Sequence, residues 1–284
     1  MKFTSFTHAG TASWGLVSGD TVADLGGFLP DLKTAIATGR LGEAASHAAT
    51  APKMALASVS FLPLIPNPDK ILCVGLNYET HRKETGRSEV AHPTIFTRFT
   101  NSQIGHGAPM LRPLGSSDFD YEGELAVIIG KAGRYIDPAD ALSHVAGYAC
   151  YNDGSVRDFQ RHTHQFTPGK NFPDTGAFGP YLVTPDEVGP LGDQRLQTRV
   201  NGMLVQDALL SQMIFDIPAQ IAYCSSFTRL EPGDVIVSGT PGGVGAKRTP
   251  PLWLKAGDVV EVEIDGVGLL RNPVEDETPS RVAG

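Results

Sequence analysis

From Leu125 to Gly130 the chain reads Leu-Ala-Val-Ile-Ile-Gly, an apolar run with no polar interruption. Such a run predicts a strand buried on both faces rather than one half-covered by solvent. Glu122 and Glu124 stand just ahead of it, in Asp120-Tyr-Glu-Gly-Glu-Leu125. Side chains two apart on a strand point the same way, so both carboxylates enter one space. Taking charge out of water costs roughly several kcal/mol per ion, so one carboxyl takes up a proton or a cation sits between them. The plain alternative is an exposed strand start whose Glu side chains face water.

Further short apolar or alternating runs predict strands at Ile71–Gly75, His144–Asn152, Arg199–Val205, Asp234–Ser238 and Asp258–Ile264, with Leu125–Gly130 among them. The 32 Gly and 21 Pro supply the turns these need. Helices are predicted at Leu29–Thr38, Pro138–Ala141 and Met213–Ser225. The proline-punctuated segment Phe61-Leu-Pro-Leu-Ile-Pro-Asn-Pro-Asp69 fits neither regular structure and acts as a connector. The pattern is an α+β, mainly β, chain: a small N-terminal domain over residues 1–65 and a catalytic body over 66–284. No internal repeat or low-complexity tract breaks it.

Composition narrows the function classes. With 284 residues and 41% hydrophobic content the chain can bury a substantial core. A net charge of −8 and the lack of a basic stripe exclude a nucleic-acid-binding surface. No apolar run is long enough for a signal peptide or a membrane span. Cys73, Cys150 and Cys224 are isolated, odd in number and set among apolar residues, which reads as buried free thiols in a reducing cytoplasm. Cys150 lies three residues before Asp153, so a nucleophilic role is the lesser alternative.

The chemistry-bearing residues extend the Glu pair. Tyr148-Ala-Cys-Tyr-Asn-Asp153 is an apolar strand that turns polar at its end. Asp153 there is either a ligand on a rigid strand end or the start of an Asx turn. Together with Glu122 and Glu124 it makes an all-oxygen set suited to Mg²⁺, Mn²⁺ or Ca²⁺ and not to zinc. If Asn77–Gly86 is helical, His81 and Glu84 share a face, and a carboxylate on an imidazole makes a general base. That segment is polar nearly all round, which suits a lid or a simple solvated helix. Lys170, in the Gly/Pro-rich stretch from Phe166 to Pro180, can hold a carboxylate or an oxyanion, or face water as most loop lysines do. Ser238-Gly-Thr-Pro-Gly-Gly-Val-Gly245 lacks Walker spacing; its amides and Thr240 are placed to approach an anion. His162 and His164 form a His-x-His pair without further nitrogen or sulfur partners nearby and read as surface histidines.

From about Ile71 to Pro273 these segments resemble the fumarylacetoacetate hydrolase family. The resemblance rests on Val74-Gly-Leu-Asn-Tyr-Glu-Thr-His81 with Glu84, on Asp120–Leu125, and on Gly147-Tyr148 with Asn152-Asp-Gly-Ser-Val-Arg-Asp-Phe-Gln160. It continues through Gly169-Lys170, Val200-Asn-Gly202 with Gln206-Asp207, Leu230–Ile236, Gly239–Gly245 and Gly257–Val262. It implies a rolled mixed β-sheet, a homodimer, and one divalent metal at Glu122, Glu124 and Asp153. It also implies a catalytic His81–Glu84 dyad on a lid, and substrate contact or charge stabilisation by Lys170, Arg157, Gln160 and Thr240. The chain departs from the family pattern at Gly154, where a small apolar residue is usual, and at Asp207-Ala-Leu-Leu-Ser-Gln212. It departs again in the His-rich loop Arg161–Pro168.

The reaction expected from this constellation is metal-dependent hydrolysis of a C–C bond in a 2,4-dioxo acid of the acylpyruvate type. His81 activates water, and Lys170 and Gln160 stabilise the oxyanion. The alternative uses the same electron sink for decarboxylation or tautomerisation of a 2-oxo diacid such as oxaloacetate. A third alternative is a metal-stabilised binding protein without catalysis.

Overall fold

The computed structural model describes residues 1–279. Fifteen strands suffice to define its frame. Four come from the N-terminal segment: β1 (Lys2–His8), β2 (Thr11–Ser18), β3 (Thr21–Asp24) and β4 (Lys53–Ala55). Then follow β5 (Ile71–Gly75), β6 (Thr94–Arg98), β7 (Met110–Arg112), β8 (Gly123–Ile129), β9 (Val145–Asp153) and β10 (Gly176–Val183). The last five are β11 (Arg195–Val200), β12 (Met203–Leu209), β13 (Val235–Val237), β14 (Val259–Ile264) and β15 (Gly268–Asp276). The main sheet runs β4-β3-β2-β1-β10-β9-β8-β13-β5-β6 and is mostly antiparallel, with β13 and β5 parallel. A second sheet runs β12-β11-β14-β15-β7. The α+β, mainly β, mixed-sheet architecture expected from the sequence is the one observed.

The apolar run predicted to be buried on both faces is β8, the strand at the centre of this frame. Leu125, Val127 and Ile129 face one core with Leu196, Val262 and Leu270 of the second sheet. Ala126 and Ile128 face the other, with Phe3, Trp14 and Leu32 of the N-terminal segment. The N-terminal strands continue the same sheet, because β1 pairs with β10 through Lys2↔Val183 and Phe3↔Leu182.

Several boundaries differ from the expectation for identifiable reasons. The helix expected over Leu29–Thr38 is α1 (Leu32–Ala37), starting only after Asp31, whose side chain caps the Thr34 amide at 2.6 Å. The helix expected over Met213–Ser225 is Ile217–Phe227, again begun by an aspartate cap, Asp216, with a proline in its first turn. Of the helix expected over Pro138–Ala141, residues 138–140 form a turn and only Ala141 is helical, as the first residue of a single 3₁₀ turn, Ala141–His144. The strand expected over Arg199–Val205 is a hairpin, in which Asn201 and Gly202, both at positive φ, turn β11 into β12. Within the stretch expected as a loop, Gly176 onward is strand β10.

Candidate active site

The site lies where several strand ends meet. β8 and β9 pair antiparallel with Gly123 opposite Asn152, and the Asp153 amide donates to the Glu122 carbonyl at 2.8 Å. That register puts the start of one strand beside the end of the other, so Glu122, Glu124 and Asp153 converge. One ligand oxygen from each lies within 4.8 Å of the others, and all three residues are buried. Gly154 follows Asp153 because a Cβ there would stand 2.0 Å from the Thr175 carbonyl. The departure noted in the sequence is therefore a steric requirement of this chain.

Each carboxylate has a different neighbourhood. The Lys170 ammonium bridges Glu122 and Asp153, 2.6 Å from each, and lies 5.0 Å from the centre of the Phe96 ring. Arg157 reaches Glu122 at 2.7 Å and Asp120 at 2.8 Å. Arg98, wholly buried, holds the other oxygen of Asp153. Among the described residues no cation lies within ion-pair distance of Glu124; the Gly239 amide donates to it at 2.6 Å. Burial works against the charge on Glu122, but Arg157 and Lys170 hold its carboxyl well below the usual carboxylate range. Burial first, then Asp153 and Glu122, push Glu124 well above that range. Burial also opposes the charge on Lys170, yet Asp153 and Glu122 raise its pKa, so it stays an ammonium.

Four buried carboxylates (Asp120, Glu122, Glu124, Asp153) thus face three buried cations (Arg98, Arg157, Lys170). The imbalance falls on Glu124. A hard divalent cation suits this donor set, because it supplies the missing charge beside the one carboxylate that lacks it. In the metal-free protein the raised Glu124 pKa means the folded state holds a proton that the unfolded state has released. Its stabilisation is therefore lost as pH climbs above the ordinary carboxylate range. A cation that displaces this proton stabilises more at neutral than at mildly acidic pH. At about 100 times its Kd, Mn²⁺ adds about 2.7 kcal/mol, or about 5–10 °C in Tm. Thermal melts across that pH range, with and without Mn²⁺, check this; a shift independent of pH, or one kept in full by Glu124→Gln, contradicts it.

Glu122 and Glu124 border a cavity of about 470 Å³ that His81, Lys170, Arg157, Gln160 and Thr240 also line. The predicted helix is present as α2 (Glu79–Thr85), and His81 is buried in it. His81 Nδ1 lies 2.7 Å from Glu84 Oε1. The carboxylate accepts, so Nδ1 carries the proton of this hydrogen bond, which leaves Nε2 as the ring nitrogen not engaged by Glu84. Far from floating, α2 is tied to the glycine loop: the Gly242 amide donates to Thr80 at 3.0 Å and the Gly243 amide to the other oxygen of Glu84 at 2.9 Å. Thr240 donates its hydroxyl proton to the Gly123 carbonyl at 3.0 Å and accepts from Gln206 at 2.8 Å, which pins the loop to β8. Gln160 accepts from Arg157 at 2.9 Å. His162 and His164 are exposed, as expected, but they border this same cavity. Cys150 is buried under the sheet, where desolvation pushes its thiol up to about 12, so it holds no thiolate.

Three supporting residues escaped the sequence reading. Arg98 had a signal, since it follows Phe96 in the inward phase of β6. Asp120 accepts from Arg157 and from the Gly245 and Ala246 amides. Asn77, fully buried, ties α2's approach to Phe215 and Ser238.

Residues 70–275 match the family model for the fumarylacetoacetate (FAA) hydrolase C-terminal domain. The chain is 44% identical over 219 residues to the Xenopus laevis protein named oxaloacetate tautomerase fahd2, mitochondrial, covering 76% of this chain and 69% of that one. Its structure resembles a fumarylacetoacetate hydrolase from Exiguobacterium antarcticum, with a TM-score of 0.87 and 35% identity over 98% of this chain and 100% of that one. It also resembles maleylpyruvate hydrolase from Sphingobium sp. SYK-6 in complex with manganese(II) and pyruvate, with a TM-score of 0.82 and 28% identity at the same coverage. A continuous family match over the segments that build the carboxylate cluster and the dyad, and this agreement of fold, place the chain in the fumarylacetoacetate hydrolase family of enzymes.

Proposed function

We propose that the protein is a divalent-metal-dependent tautomerase that interconverts the enol and keto forms of a 2-oxo diacid of the oxaloacetate type. The observation that carries this is the His81–Glu84 pair, whose histidine borders the same cavity as Glu122 and Glu124 of the three-carboxylate cluster. The likeness to an oxaloacetate tautomerase selects this reaction over C–C hydrolysis as the first reading. Glu122, Glu124 and Asp153 would hold Mg²⁺ or Mn²⁺, which supplies Lewis acidity to the 2-oxo acid head.

The chain's own residues do the rest. His81 takes the C3 proton at Nε2, Glu84 holds the resulting imidazolium, and a proton is returned at the 2-oxo oxygen. No atom is gained or lost. Lys170, kept charged, and Arg157 act as fixed donors and not as bases. The glycine loop holds α2, and with it His81, at the edge of the cavity. In the hydrolase reading the same dyad deprotonates water; the manganese–pyruvate complex of the maleylpyruvate hydrolase favours that as the second reading.

The test follows the ultraviolet absorbance of enol oxaloacetate as it becomes ketone, with the protein metal-loaded and EDTA-stripped, against free metal as control. Metal-dependent acceleration with no CO₂ and no new acid is expected. Release of pyruvate and a carboxylic acid from acylpyruvates, without acceleration of the oxaloacetate enol, moves the protein to the hydrolase reading. The buried thiols suit a reducing compartment, and the expected cytoplasm stands beside the mitochondrion named for the frog relative. Among the described residues no helix is long and apolar enough to cross a membrane. The homodimer remains part of the proposal through the family resemblance.

A further inference from the structure

A chain of buried hydrogen bonds leads to the carboxylate cluster. Tyr151 stands on β9, directly opposite Glu124 of β8. Its hydroxyl donates to Gln103 Oε1, and Gln103 Nε2 donates to Ser102 Oγ at 2.7 Å. Ser102 Oγ also accepts from Arg98 Nε at 3.3 Å and donates its own proton to the Phe99 carbonyl at 2.8 Å. The one proton and two lone pairs of that hydroxyl are then all in use. All four side chains, Tyr151, Gln103, Ser102 and Arg98, are buried. The segment that carries Ser102 and Gln103 is held from two sides. Its short strand Gln103–Ile104 pairs parallel with β10 through Gln103↔Gly176, and a Cβ on Gly105 would stand 2.2 Å from the Phe61 carbonyl of the proline-punctuated connector. Arg98 carries this order into the cluster. Its Nη2 donates to Thr175 at 2.7 Å, and its Nη1 donates to the Gly154 carbonyl at 2.9 Å and to Asp153 Oδ1. Asp153 Oδ2 is left to Lys170, whose ammonium also reaches Glu122 Oε2.

We propose that Ser102 and Gln103 are positioning residues of the metal centre, which orient the Arg98 guanidinium so that Asp153 keeps Oδ1 on the arginine and Oδ2 on the side of Glu122. This rests on the reading above that Glu122, Glu124 and Asp153 hold a divalent cation. A guanidinium is planar, so fixing Nε fixes the direction of both terminal nitrogens. A carboxylate whose orientation is set by its partners binds a cation more tightly than one free to turn, because less order is lost on binding. Without Ser102 Oγ, Arg98 Nε and Gln103 Nε2 both lose their acceptor inside the protein, and the guanidinium turns to find another.

Calorimetric titration of the EDTA-stripped protein with Mn²⁺, well below the melting temperature of each variant, tests this. Ser102→Ala is expected to weaken Mn²⁺ binding roughly tenfold, the low end of the range for partners of metal ligands, since it acts through Arg98. Gln103→Leu, one step further from Asp153, is expected to lose about threefold. Thr4→Val removes a buried hydrogen bond to the Pro180 carbonyl, outside this chain of bonds, and is expected to stay within about twofold of the wild type. Mn²⁺ affinity within about twofold of the wild type in Ser102→Ala overturns the positioning role. An equal loss in Thr4→Val also overturns it, because affinity then follows stability alone. Where Ser102→Ala does not fold, Gln103→Leu decides by the same comparison. A wild type that binds no Mn²⁺ overturns the cation reading itself, and the positioning role with it.

Discussion

Replacing His81 by alanine is expected to lower kcat by about 10²- to 10⁴-fold, the contribution of a positioned general base, while KM and Mn²⁺ affinity stay near the wild-type values. The ring touches the reacting carbon in the proposed reaction but is no ligand in the carboxylate cluster. Alanine is the best helix former, and His81 lies inside α2, so the helix survives the change. Glu84→Gln is expected to cost less, because an amide oxygen still accepts from Nδ1 but no longer offsets the imidazolium charge. Steady-state kinetics with the metal-loaded protein, paired with Mn²⁺ titration, separates these effects. Turnover close to wild type in His81→Ala removes the dyad from the mechanism; a parallel loss of Mn²⁺ binding shows that the histidine supports the carboxylate cluster instead.

Much of the site was legible because it sits on strong patterns. An unbroken apolar run made β8 readable as a central strand, and two glutamates at its start could be paired from strand geometry alone. Asp153 was readable from the point where an apolar strand turns polar. The elements that were misread depend on turns and caps. The run around Arg199–Val205 looked like one strand because apolar residues stand on both sides of Asn201-Gly202; the positive φ that Asn and Gly tolerate turns it into a hairpin. Asp31 and Asp216 begin helices later than the apolar spacing suggested, since an accepted amide bond overrides spacing at a helix end. The supporting cations were harder to see. An arginine on a short strand is ordinarily solvent-exposed, and only the meeting of β6 with the ends of β9 and β10 shows what Arg98 faces.

That placement makes Arg98→Met the substitution with the largest expected effect on stability. Arg98 is buried and donates to Asp153, to the Gly154 carbonyl at 2.9 Å and to the Thr175 hydroxyl at 2.7 Å. A Cβ on Gly176 would lie 2.7 Å from its guanidinium, so β10 carries glycine there to let the group in. Burial alone would depress the Arg98 pKa, but Tyr151 and Asp153 raise it, and the charge is retained. Methionine fills much of the volume and removes the charge, leaving a buried carboxylate with Lys170 as its remaining cation. Breaking a buried pair from one side costs about 3–5 kcal/mol, which at 2–4 °C per kcal/mol is roughly a 10 °C fall in Tm. Arg98→Lys keeps the charge, but a single ammonium cannot reproduce the planar fork whose nitrogens reach Ser102, Asp153, Gly154 and Thr175 from different sides, so it is expected to fall between the two. Urea and thermal unfolding of the three proteins decide the matter: a loss below about 1 kcal/mol for Arg98→Met would place this arginine among the neutral surface pairs. If methionine and lysine destabilise equally, the shape of the guanidinium matters and its charge does not.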